Sequence, residues 1–438
     1  MNSIFNKINY ILFRNKLRVN ISVSIIVYTI NAIILLLYYP IYLKYLNLSL
    51  ISLWSLLSIF ISFAEMGNFG IGDAIVKYVA EYESDVNNLG ILKIIGGGFT
   101  IIFISSFIII FIGYMFPKEI CNILKVPNNY LDLAISIIPY LSIIASLTLL
   151  LDLFKASLIG LQFINYASVI FLFSNIIKLI LMLILFYFGL GIWSLIYSYI
   201  LSLIMSIIIY FILLTNKINN FYKFIIYSFN KDIKKLLVFG KNCFGAQILN
   251  MFSAPLIKII LSYNNYFISI TYFEMSTKII YTISDILKKG LYALLPKYSY
   301  EKNYNNKYYY SNIISIIKKI FFIGLLGILI IILSSPFWIK LWIGKNYNIE
   351  IVYCICILTI GMLASLTVSP IYYFLMANGK EKYVFHEALL RVLLCIIFLI
   401  ITQYIYHNKY MIYLSFSISA FLSNVYVYKK GIKFLNER

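Results

Sequence analysis

A chain of 438 residues that is 62% hydrophobic and only 12% charged cannot be a soluble globular or a disordered protein. Its formal net charge of +20 would suggest nucleic acid in a soluble protein. In a chain this apolar, the excess instead holds loops against anionic lipid, so the expected partner is the bilayer and not nucleic acid.

Twelve apolar stretches follow one another along the chain, near residues 21–43, 50–72, 94–116, 131–151, 164–188, 191–214, 236–261, 264–287, 313–335, 350–376, 385–406 and 410–428. About 20 apolar residues cover the hydrocarbon core as a helix, so each stretch predicts a membrane span. Lysine and arginine alternate between the gaps: of 36, twenty-five fall on one side, six on the other and five inside spans. By the positive-inside rule both termini are expected in the cytoplasm, with the chain in the inner membrane. The first span is longer than the apolar core of a signal peptide, and no small-residue cleavage site follows it.

The five cysteines show no C-x-x-C spacing, and His386 and His407 lie in separate loops. Inert buried thiols are expected, with no metal and no cofactor. No gap is long enough for a soluble domain.

The basic stretch near 215–235 divides the chain into two halves, 1–216 and 217–438, of six spans each. Punctuation matches across the halves: Gly70 with Gly290, Lys77 with Lys297, Pro117 with Pro336, and Gly160 with Gly379. Six is even, so both halves cross the membrane in the same sense, as parallel repeats do in transporters. The expected fold class is all-α: twelve transmembrane helices in two six-helix lobes around a central cavity. Pro40, Pro139, Pro255 and Pro370 fall inside spans, as shape kinks or as hinges.

Ionisable groups inside a span are costly and face a cavity or a partner. Lys178 and Lys278 lie about fourteen residues into spans five and eight, near the midplane. Glu274 precedes Lys278 by four positions, so the two share a helix face, and Asp285 continues it. Two readings stay open for that face: the pair fixes packing, or it lines an anion-binding cavity with Glu274 and Asp285 as proton or cation sites. Lys178 has no acidic residue within two helical turns along the chain, which favours the cavity reading. Lys241 and Lys258 sit near opposite ends of span seven, where each can snorkel, and Arg391 can snorkel from span eleven. The guanidinium fork of Arg391 nonetheless suits a phosphate. Glu65, Asp73, Asp152 and Lys155 form another group at headgroup depth, where charge is cheap; Glu65 and Asp73 are further ion-coupling candidates. Tyr38, Tyr39, Tyr42 and Tyr45 read as an interfacial aromatic belt. Gly96, Gly97 and Gly98 suit close packing better than phosphate binding.

The run FAEMGNFGIGDAIVKYVAEYES, from Phe63 to Ser84, resembles the span-two signature of Wzx-type polysaccharide flippases. That group belongs to the MOP superfamily, with the MATE drug exporters and MurJ-type lipid II flippases. Gly70, Gly72, Lys77, Tyr78 and Glu81 carry the match. The Gly-Leu-Gly turn at Gly189–Gly191, LKKGLYALLPKYS with Pro296, KLWIGKNY and FLMANGKEKYV are similar to later segments of the family in the same order. The resemblance implies a two-lobed transporter that exposes its cavity to each side in turn. Its cargo would be an undecaprenyl-pyrophosphate-linked oligosaccharide for O-antigen or capsule, and its partners other polysaccharide assembly proteins. In that setting Lys178, Lys278, Arg391, Lys241 and Lys258 would compensate the pyrophosphate. A cation-coupled multidrug exporter of the same superfamily is the alternative, against which the midplane Lys178 speaks. A membrane polysaccharide polymerase or glycosyltransferase would need catalytic carboxylates or arginines on a large outer loop, and the outer loops here are short. A scaffold of the assembly complex would leave the buried charges unexplained.

Overall fold

The computed structural model describes residues 27, 29–227, 232–291, 306–378, 380, 382–405 and 408–436, and the regular elements among them are all helices. The first span is helical over 29–45 (α1). There follow α2 (Leu48–Glu65), α3 (Ile71–Ser84), α4 (Asn88–Met115), the short α5 (Pro117–Ile123), α6 (Leu131–Gly160), α7 (Ile164–Tyr187) and α8 (Trp193–Lys217). The rest of the chain supplies α9 (Asp232–Tyr263), α10 (Phe267–Leu291), α11 (Asn306–Ile343), α12 (Ile349–Ala377), α13 (Lys382–Ile405) and α14 (Lys409–Asn436). Each of the twelve expected spans falls on one of these helices. Nine stretches of the described residues are long and apolar enough to cross a membrane. The helix α10 is less apolar than these, since it carries Glu274, Lys278 and Asp285. The chain is an all-helical, multi-pass membrane protein.

Span two is broken where the sequence signature lies. The helix α2 ends at Glu65, a 3-10 turn covers Met66–Asn68, and Phe69 and Gly70 take positive φ of 44° and 69° before α3 begins. A break in an apolar segment is tolerated only if its freed backbone groups are served. Here Ser105 Oγ donates to the Gly67 carbonyl at 3.0 Å, and Asn68 Oδ1 accepts from the Gly72 N–H at 3.2 Å. The expected Gly-Leu-Gly turn between α7 and α8 is also present, with Gly189 and Gly191 at φ of 76° and 54°. A side chain would strain either position.

Among the described residues the chain forms two compact units. One holds residues up to 41, 60–120 and 135–244; the other holds 42–59, 121–134 and 245 onward. The chain passes from the first to the second inside α9. In the first unit α7 packs on α8 and α3 on α4. In the second, α12 packs against α10, α11 and α14, and α13 against α14. A buried cluster of Ile313, Ile317, Ile371, Phe374 and Val427 lies at that junction.

Three expectations change. Pro117 opens α5, but its counterpart Pro336 lies inside α11, which continues to Ile343. Tyr38, Tyr39 and Tyr42 are buried in protein and form no lipid-facing belt; only Tyr45 of the four is exposed. Gly96 does permit a close approach, but to the backbone of the segment after α8: a Cβ there would stand 2.5 Å from the Phe224 carbonyl oxygen. Gly290, Pro296, Lys297, Gly379 and His407 lie outside the residues or side chains described.

Candidate functional site

The first unit gathers its polar side chains around Lys178. Its ammonium sits over the Tyr199 ring at 3.6 Å from the centroid and near that of Tyr38 at 5.5 Å. Tyr38 donates to the Asn175 carbonyl at 2.9 Å, and Asn175 Nδ2 donates to Asn31 Oδ1 at 2.7 Å. Lys178 is therefore held by aromatic faces, which attract a cation strongly once it is desolvated. Tyr199 feels the charges of Glu65 and Asp152. The two carboxylates act on each other as well, and both are half-buried in this unit. Lys155 sits over the Phe171 ring at 5.3 Å. Asp73 is exposed in the first turn of α3, where the helix dipole favours a carboxylate.

The second unit corrects the pairing expected within α10. Glu274 Oε2 stands 2.5 Å from the Lys258 ammonium, on α9, and Lys278 acts on it only as a nearby charge. Ser55 Oγ donates to the same carboxylate oxygen at 3.2 Å, and Lys258 donates to the Ser55 carbonyl at 3.2 Å. Lys258 is 7% exposed, so it is a buried partner and does not snorkel. Beside this cluster Ser52 and Thr271 share a hydrogen bond of 2.7 Å. The side chain of Lys241 lies outside those described.

Arg391 is likewise paired. Its Nε and Nη2 both donate to Glu387 Oε1, at 3.1 and 2.5 Å, and Ser423 Oγ donates to the same oxygen at 2.7 Å. A guanidinium has five N–H donors, so about three remain for other partners. With Lys288, Arg391 lines two adjoining cavities of about 110 and 290 Å³. The larger is lined also by Tyr372, Tyr373, Glu387 and Asn424, and the smaller runs along α10 past Ser284, Tyr281 and Thr277 to Ser253. Asp285 is exposed and acts electrostatically on Lys288 without lining either cavity. A third ion pair joins Lys409 to buried Glu350, which also accepts from the Tyr413 hydroxyl at 2.7 Å.

The structure thus brings Arg391 into a cavity, pairs buried Lys258 with half-buried Glu274, and sets Lys178 in the other unit. Lys288 was hidden among the lysines of a basic gap. Its signal is helical spacing: Thr277, Tyr281, Ser284 and Lys288 recur every three or four residues and share one face of α10. Glu387 stands four residues before Arg391, the spacing of a helical ion pair. No group of three metal-ligating side chains occurs among the described residues.

A family model described as "Polysaccharide biosynthesis protein" matches residues 17–265. Solved structures share the fold over nearly the whole chain. An inward-facing multidrug resistance MATE family transporter of the MOP superfamily superposes with a TM-score of 0.78 at 12% identity, covering 96% of this chain and 98% of its own. Its outward-facing conformation gives 0.68 at 14% identity, over 96% and 95%. A MOP superfamily transporter from Pyrococcus furiosus, for which reverse polarity of the binding pocket suggests a different function, gives 0.63 at 14%, over 95% of each chain. No curated protein matches at the same stringency.

Proposed function

The chain belongs to the polysaccharide biosynthesis protein family, and from that premise we propose that it flips a polyprenyl-diphosphate-linked oligosaccharide across the cytoplasmic membrane. The observation that carries this reading is the pair Lys288 and Arg391 on one cavity wall. A diphosphate entering a low-dielectric site needs fixed positive charge, and the planar fork of Arg391 suits its oxygens. Glu387 holds that fork in one orientation from a buried position. Hydroxyls and amides along the same walls suit a sugar, while a drug cation would be repelled by the two basic groups. For the Pyrococcus furiosus transporter reverse polarity of the binding pocket suggests a different function, and the two basic groups of this cavity support the same reading here.

Purified protein in liposomes should move a fluorescent polyprenyl-diphosphate oligosaccharide between leaflets. We expect Lys288→Ala and Arg391→Ala each to cut that rate at least about ten-fold, the loss of one charge-assisted contact. In cells both variants should lose surface polysaccharide and accumulate the lipid-linked precursor. Wild-type flux in both variants at equal abundance would sink the proposal. Ion coupling is a further part of the reading: Glu65 with Asp152, and Glu274 with Asp285, are the carboxylates placed to carry it. Translocation that ignores both proton and sodium gradients removes that part alone.

A further inference from the structure

We infer that the smaller cavity, which runs inward from Lys288 along α10, is a subsite for the sugar joined directly to the cargo's diphosphate. The inference deepens the flippase reading and rests on it. Its anchor is Ser253 on α9. That hydroxyl is 3% exposed, lines the cavity, and has no hydrogen-bond partner among the described residues. Its neighbours behave differently: Thr277 donates to the Phe273 carbonyl at 2.9 Å and Ser417 to the Ile357 carbonyl at 2.6 Å. A buried hydroxyl left unpaired is costly, and a retained one marks a place where something else completes the bond.

The walls specify what that is. The lining combines the hydroxyls of Ser253 and Ser284 with the apolar side chains of Met362 and Phe416, and the Tyr281 ring is half exposed on it. A pyranose has the same division, with hydroxyls around its edge and C–H groups on its face that pack on an aromatic ring. The cavity of about 110 Å³ would hold several waters at about 10–15 Å³ each, which is room for one sugar ring. Its position fits the bond order of the cargo. Ser284 lies one helical turn and Tyr281 two turns, roughly 10 Å, from Lys288 along α10. Diphosphate oxygens at Lys288 and Arg391 therefore place the next ring beside Tyr281 and Ser253. Alternate filling by water alone is the competing state, and the two make different predictions.

The test uses the purified full chain and two probes: a short-chain polyprenyl diphosphate, and the same lipid carrying one hexose. Wild type should bind the hexose-bearing probe more tightly. Ser253→Ala should shrink that preference about five-fold, the worth of one hydrogen bond, and Tyr281→Ala about as much or more. Affinity for the bare diphosphate should stay within about two-fold in both variants, since neither removes a charge. Lys288→Ala should weaken both probes together. Ser253→Ala should also keep or raise the unliganded thermal midpoint, because it removes an orphaned group; this separates a ligand contact from a structural one. A preference for the hexose that is absent in wild type, or unchanged in both variants, overturns the subsite. Failure of wild type to bind either probe overturns the flippase reading and the subsite with it.

Discussion

Glu274 has two lysines within reach and pairs with the one that comes from another helix. Lys278 lies one turn along α10, at the spacing of a helical ion pair, yet acts on Glu274 only as a nearby charge. Lys258 arrives across from α9 and finds a second acceptor in the Ser55 carbonyl, so its ammonium is served twice. Removing the buried lysine strands the Glu274 carboxylate, whose side chain is 28% exposed, at a cost of about 1–3 kcal/mol, whereas replacing both partners can be nearly neutral. Lys258→Met should therefore lower thermal stability in detergent by roughly that amount, and adding Glu274→Gln should restore most of it. Lys278→Met should cost markedly less. Equal losses from Lys258→Met and Lys278→Met would show that Glu274 does not discriminate between them.

Helices here meet through small residues and at breaks, and two glycines show how position sets the sign of a change. Gly96 in α4 lies against backbone: an added Cβ would stand 2.5 Å from the Phe224 carbonyl oxygen and 2.8 Å from that of Tyr227. Backbone cannot swing aside, so Gly96→Ala should destabilise by about 1–3 kcal/mol through overpacking. Gly327 in α11 has nothing within 4 Å of the same atom. There Gly327→Ala should be neutral or stabilising, by up to about 1 kcal/mol of helix propensity. Thermal unfolding of the two single variants decides the matter, and a neutral Gly96→Ala would mean the segment after α8 can retreat. Broken span two follows the same logic. Its αL positions at Phe69 and Gly70 survive because Ser105 and Asn68 serve the freed backbone groups.

For the molecule as a whole, the lysine distribution sets an orientation. Lys345 is exposed after α11, in a gap poor in basic residues, and Tyr222 is exposed after α8, in the gap richest in them. By the positive-inside rule we expect Tyr222 in the cytoplasm and Lys345 outside. An impermeant thiol reagent added to intact cells should label Lys345→Cys and spare Tyr222→Cys, with both labelled after lysis. Cys121, Cys354 and Cys395 are buried, which keeps their background low. The reverse pattern would invert the topology and put Lys288 and Arg391 at the outer face, against uptake of cargo from the cytoplasm.

Sequence alone determined the helical class, the twelve spans and their alternating polarity, because each depends on the apolar run and charge of one local segment. It also located Glu274 as a charge with a partner to find, Arg391 as a guanidinium suited to phosphate, and the turn at Gly189–Gly191. Which partner each charge takes was decided only by the tertiary structure. The pairing of Glu274 with Lys258 and Ser55, the aromatic faces around Lys178, and the burial of Tyr38 all join residues far apart in the chain. Lys288 shows the limit most plainly. Along the chain it is one lysine among seven near a basic gap, and only the packing of α10 against α12, with α13 and α14 also lining the cavity, sets it beside Arg391. A local pattern records how much charge a segment carries; helix packing decides what that charge faces.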